Sequence, residues 1–166
     1  MKNIKRYVFL GVALLFAGLW VAGLTLNPGN PRERHTGTIL SAEGDLLLRR
    51  ACFDCHSNET EYPWFSRLPL SSLLIAKHVK KGRRELNFSH WDRKTEKKRA
   101  RALRGVARLI RKGKMPPKDY ALINPKAKLT AEEEALLVHE AERLGGPPPN
   151  GDPDSMKKAD DTGNDD

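Results

Sequence analysis

Two cysteines are all that the 166 residues contain, and they stand three apart with a histidine directly behind the second: Cys52-Phe53-Asp54-Cys55-His56. That spacing narrows what the chain can fold around. Two thiols do not complete a tetrahedral zinc site, and no second cysteine pair exists. His35, His78, His90 and His139 offer no finger-like H-x₃₋₅-H spacing either. A thioredoxin-like dithiol needs a βαβ surround, and no stretch here alternates with period two for long enough to be a strand. A disulfide from one residue to the third along closes too small a loop to stabilise much. The histidine discriminates. On one helical turn, Cys52 and Cys55 lie along the same edge, placed to form thioethers with the two vinyl groups of a haem. His56, four residues after Cys52, reaches the iron from the same side. This is the c-type attachment pattern C-x-x-C-H, and it implies one covalent haem c.

Residues 7–26, YVFLGVALLFAGLWVAGLTL, carry no charged or strongly polar side chain. Twenty such residues span roughly 30 Å as a helix, the thickness of a bilayer's hydrocarbon. Lys2, Lys5 and Arg6 ahead of them keep that end cytoplasmic and send the rest outside. The expected address is therefore a bacterial inner membrane, crossed once, with the remainder periplasmic, the side on which c-type haem is attached. A cleaved signal peptide, with Val21 and Gly23 as the cleavage pair, is the rival reading. The apolar run exceeds the usual signal core of roughly 7–15 residues, so residues 1–26 read as an anchor or uncleaved signal.

Residues 27–40, rich in Pro, Gly and charge, read as a linker. The domain then occupies 41–146, with helices expected over 42–56, 70–81, 95–113 and 130–144. Ser71 or Ser72 is the expected cap of the second and Thr95 of the third. Leu103, Val106, Ala107 and Ile110 form the third helix's apolar stripe, and Gly113 its stop. Thr130-Ala-Glu-Glu133 is a capping box for the fourth. Residues 147–166 hold almost no apolar surface and read as a disordered acidic tail. The fold class is all-α: a small c-type cytochrome-like bundle of about four helices around one covalent haem. Apolar residues are 39% of the chain, modest for a free-standing domain once the anchor is set aside. A buried haem would supply much of the missing core, so the haem-free domain is expected to fold poorly.

The iron's second axial position has few candidates. Met1 is cytoplasmic and Met156 lies in the tail. Met115, in Lys-Met-Pro-Pro, follows a basic helix, where two prolines stiffen the chain and hold the thioether outward. A methionine filling a core gap is the plainer alternative. His78 shares a helix face with Leu70 and Leu74 and is the main rival ligand. His90, before Trp91 in a turn, is a weaker one, His139 sits among glutamates on a solvated face, and His35 lies in the linker.

CHSNETEYPWFS, HVKKGRRELNFSHW at 78–91, MPPKDY at 115–120 and NPKAKLT at 124–130 together resemble the haem-binding-domain family of small, membrane-anchored monohaem c-type cytochromes. The likeness covers about residues 40–145. It implies that Met115 is the distal iron ligand opposite His56. Two positions depart from the pattern: Asn124-Pro125 stands where the family often has His-Pro, and Leu73-Leu74 where it often has tryptophan. Trp64, Arg83, Asn87 and Trp91 lie in segments able to wrap the ring edge and donate to haem propionates.

The charge balance adds a partner. Of the net +9, the first six residues supply +3 and the tail −4, leaving +10 in residues 27–146. Most of that sits in residues 93–114, with eleven Lys or Arg against Glu96 alone. Nucleic acid is excluded by location. An acidic redox partner docking near this helix, or anionic lipid headgroups, are the readings left. The whole reads as a single-electron carrier and not an enzyme. A five-coordinate gas sensor or peroxidase-like site, or a haem subunit of a larger membrane complex, are the alternatives.

Overall fold

The computed structural model describes residues 2–26 and 28–147, and every regular element among them is helical. Those α-helices are α1 (Lys2–Leu26), α2 (Ala42–Ala51), α3 (Phe53–His56), α4 (Pro69–Glu85), α5 (Glu96–Arg111), α6 (Lys118–Ile123) and α7 (Ala131–Gly145), with short 3₁₀ helices at Trp64–Arg67, Phe88–Arg93 and Pro125–Ala127. Residues 148–166, which hold Met156 and all but the first residue of the expected tail, fall outside the described residues. In α1 the window Ile4–Val21 has mean hydropathy 1.7 and none of it is buried, so this helix is long and apolar enough to cross a membrane.

The core forms where the apolar stripes of α2, α5 and α7 meet. Leu103, Ala107 and Ile110 line one face of α5, spaced by four and three residues, and pack with Leu137 and Ala141 of α7. Both helices keep their expected caps. Thr95 Oγ1 accepts from Lys98 N (3.4 Å), and Thr130 and Glu133 form the reciprocal box. Gly113 and Gly146 follow α5 and α7 at φ +59° and +64°, the left-handed region that ends helices. The N-terminus of α2 is capped twice. Ser41 Oγ accepts from Gly44 N, while Glu140, buried on α7, accepts from Ser41 N at 2.8 Å. A carboxylate there answers the helix dipole and ties the two helices together.

Four parts differ from expectation. The run expected over 42–56 is two helices, because Cys52 (φ −123°, ψ −34°) leaves the helical region between them. His56 N still reaches Cys52 O at 2.9 Å, so the motif keeps one turn of its own. α4 runs four residues past 81, through Gly82. Its expected serine caps act otherwise: Ser71 Oγ donates back to Phe65 O, and Ser72 is buried. α6 is an added helix, its six residues too few to show a period. The segment expected as a free linker is pinned to the domain. His35 is buried with Nδ1 2.6 Å from Asp92, Glu33 pairs with His90 and Arg93, and Ile39 and Leu40 enter the core. Proline and glycine marked this stretch as irregular, and irregular backbone still buries surface when side chains give it partners.

Candidate functional site

The C-x-x-C-H turn is gripped from three sides. Beneath it, Phe53 stacks on the fully buried Phe88 (centroids 5.3 Å, 14° between planes), and the edge of the His56 ring meets the same phenyl at 6.4 Å. Behind it, α4 comes so near that a Cβ on Gly82 would stand 2.3 Å from the Cys55 carbonyl oxygen. In front, the motif's own Asp54 accepts from the Tyr120 hydroxyl, and from Asn124 Nδ2 at 3.3 Å.

The geometry sets the state of each motif side chain. His56 Nδ1 donates to the Leu86 carbonyl at 2.9 Å, which leaves Nε2 as the nitrogen with the lone pair. Burial holds the imidazole below the usual histidine range, against the opposing pull of the Leu86 carbonyl, Glu85 and Gly82. A neutral ring with one nitrogen anchored is what axial ligation needs. Burial pushes the Cys52 thiol up to about 12, with Cys55 adding to the rise, and Cys55 itself to about 11, with Asp54 the next cause. Both are free thiols in this structure. Burial, then the bond to Asp54, also raises Tyr120, so its hydroxyl stays a donor.

Beside Cys55 opens a cavity of about 710 Å³, walled by Leu74, Ile75 and Val79 of α4, Phe53, and Ile123 of α6. Such a volume lies within the range for cofactor-sized ligands. Arg49, Arg50, Lys126, Glu59, Glu61 and Asp119 also line it, with Arg49 paired to Glu59 at 3.4 Å and Arg50 to Glu133 at 2.5 Å. His78 also lines it, its Nε2 3.3 Å from Asp119. Among the described residues no three His, Cys, Asp or Glu side chains gather as a metal cluster.

The chain matches the model of the haem-binding domain over residues 29–143. It belongs to the haem-binding-domain family. No curated protein and no solved structure matches it. The residues present fit a haem by their donor chemistry: two thiols one turn apart, an imidazole anchored through Nδ1 with Nε2 left over, and a cavity with apolar walls reaching the second thiol. Cys52 and Met115 lie at the margin of one apolar core, both half-buried against it. The cavity's lining includes Cys55 and His78 but not Cys52, His56 or Met115.

The four side chains expected at the haem edge are not among that lining. Trp64 is 80% exposed, its ring set edge-to-face with Phe65 at 5.8 Å. Trp91 is core, packed with Phe88. Asn87 gives its amide to Asn58 Oδ1 (2.9 Å) and its carbonyl to Ser89 N. Arg83 donates to Ser57 O, Gly29 O, Asn30 Oδ1 and Thr60 Oγ1 at 2.7 to 2.9 Å, tying the segment after α1 to the loop behind His56. Its donors are spent inside the fold; the Lys and Arg side chains that line the cavity are Arg49, Arg50 and Lys126, the first two themselves paired with Glu59 and Glu133. The residues missed at the sequence level are Gly82, Leu86, Phe88, Asp54, Tyr120 and Asn124. One signal was available: a glycine amid the helical KKGRRE costs about 1 kcal/mol against alanine and so asks for a packing reason.

Proposed function

We propose that this protein is a membrane-anchored monohaem c-type cytochrome that carries single electrons, its haem held by Cys52 and Cys55 through thioethers and by His56 and Met115 through iron. The observation that carries this reading is the His56 ring, fixed through Nδ1 by the Leu86 carbonyl so that Nε2 keeps its lone pair, in a chain that belongs to a haem-binding family. The bound group supplies a reversible one-electron couple. The protein's part is to hold the turn still: Phe88, the α4 backbone and the Leu86 carbonyl all restrain it, so little need reorganise when the charge changes. A thioether from Met115 would raise the potential relative to two histidines.

Met115→Ala in the haem-loaded, full-length protein tests this. The methionine-to-iron charge-transfer band of the oxidised wild type should vanish in the variant, the potential should fall, and the reduced variant should take up carbon monoxide. Ready carbon monoxide binding by the reduced wild type would overturn the reading in favour of a five-coordinate sensor.

The proposed placement is periplasmic, with Lys2, Lys5 and Arg6 on the cytoplasmic side of an inner-membrane span. The proposed partner is an acidic redox protein. Several α5 arginines serve the fold itself, as in Arg99 to Trp91 O (3.1 Å) and Arg111 to Glu142 (2.7 Å). Lys97, Lys98 and Lys114 remain at the surface. Lys94 is held below the usual lysine value, first by burial and then by the charge of Lys98. Such crowding favours an anionic partner. In spheroplasts, an added acidic electron-transfer protein should exchange electrons with the haem, more slowly as salt rises. An absence of exchange refutes the placement, and a salt-independent rate refutes the docking.

A further inference from the structure

Helix α6 lacks the usual reason to stay in place. None of its six residues is buried, and Leu122 and Ile123 are 82% and 42% exposed. Apolar packing of that kind leaves a segment at the low end of local stability. Its attachments are polar. Asp119 pairs with His78 on α4, and Tyr120 and Asn124 both reach Asp54.

We propose that Tyr120, acting through Asp54 and Asn124, is the positioning residue that holds the Met115 loop against the C-x-x-C-H turn. Asp54 lies within the motif, between Cys52 and Cys55, so whatever grips it is referenced directly to the haem attachment point. Its Oδ1 accepts from Glu61 N at 2.8 Å, which aims Oδ2 at α6. There it accepts from the Tyr120 hydroxyl and from Asn124 Nδ2, and the same Nδ2 reaches Tyr120 Oη at 2.7 Å. Met115 is five residues from Tyr120, and that short tether is stiff. It consists of Pro116, Pro117 and the first turn of α6, where Ala121 N bonds Pro117 O at 2.9 Å. Fixing the phenol therefore fixes where the thioether begins. Hydrogen bonds to a charged acceptor are among the stronger ones, and here they add to the limited apolar burial of α6, where no residue is fully buried.

The inference rests on the His56/Met115 reading, and one set of variants separates the two. Wild type, Tyr120→Phe, Met115→Ala and the double variant are prepared full-length with haem, and imidazole is titrated against the oxidised protein. Tyr120→Phe should bind imidazole about ten- to a hundredfold more tightly than wild type, with a weakened charge-transfer band. In the Met115→Ala background the same change should have no further effect, since the phenol acts only through the methionine. A Tyr120→Phe affinity within about twofold of wild type overturns the strap, even if thermal stability falls, because a merely structural bond would lower the melting point alone. An equal gain in the Met115→Ala background overturns it too. Should Tyr120→Phe fail to fold, Asn124→Ala keeps the phenol and removes the shared amide, and it should loosen the loop in the same direction; an unchanged imidazole affinity there overturns the strap. A wild type without the band, binding imidazole as Met115→Ala does, overturns the His/Met reading itself.

Discussion

Gly82→Ala should destabilise the protein and lower its haem content per chain, although helix propensity alone predicts the opposite. Alanine in place of a mid-helix glycine normally stabilises by about 0.5–1 kcal/mol. Here the new methyl would stand 2.3 Å from the Cys55 carbonyl oxygen, 2.9 Å from its carbon and 3.1 Å from Cys55 Cβ. The first two are backbone atoms, so no side chain can rotate away. Either α4 retreats or the C-x-x-C-H turn deforms. Both movements strain the bonds that span the gap, His56 to Leu86 O and Arg83 to Ser57 O. Overpacking costs about 1–3 kcal/mol and occasionally more, which exceeds the propensity gain. A net loss of about 1–2 kcal/mol should appear as a lower thermal midpoint. Haem-to-protein ratio and midpoint, compared with wild type, decide the matter. A variant melting at or above wild type would show that α4 does not press on the turn.

Phe88→Ala should be the costlier change. Phe88 is 1% exposed and touches Phe53 in the motif, the edge of His56 and the tilted ring of Trp91. Truncating a buried phenylalanine costs about 3–5 kcal/mol, from lost transfer and the cavity left behind. Small domains are stable by about 5–15 kcal/mol, so much of the fold's margin would go. The effect should reach the site, because the cavity opens beneath the residue between the two thiols and beside the His56 ring. Phe88→Leu should recover a large part of the stability, since it refills much of the volume. Denaturant midpoints of the haem-loaded full chain, with unchanged slope, measure both. A loss under about 1 kcal/mol for the alanine variant would mean that this stack is not the support of the motif.

Helices with both a stripe and a cap were legible. For α5 and α7, Thr95, the Thr130–Glu133 box, Gly113 and the four-and-three spacing of Leu103, Ala107 and Ile110 locate the elements to within a residue or two, because capping and amphipathicity are local properties. α6 was not legible, since six residues held by two carboxylates and a phenol carry no period. The break at Cys52 was not legible either, because nothing local to Ala51-Cys52-Phe53 asks for it. The segment 27–40 was read from composition as a spacer. His35 pairs with Asp92, 57 positions on, and Ile39 and Leu40 join the core that α5 and α7 build, which composition does not reveal.

The candidate site divides along the same line. Cys52, Cys55 and His56 stood out in the sequence because cysteine is rare in this chain and the three share one C-x-x-C-H stretch, and Met115 because it is one of three methionines and sits beside two prolines. Trp64, Arg83, Asn87 and Trp91 are chemically suitable donors too, yet the fold spends three of them on itself and leaves Trp64 at the surface. Sequence alone determined the helical class, the apolar N-terminal helix and the motif, since each follows from residues within a few turns of one another. Only the tertiary structure decided what holds the motif: the α4 backbone at Gly82, the ring of Phe88, the carbonyl of Leu86 and the Asp54–Tyr120 bond. Those contacts join residues up to 66 positions apart. Which distant groups meet is set by the packing of the whole domain and leaves no local signature.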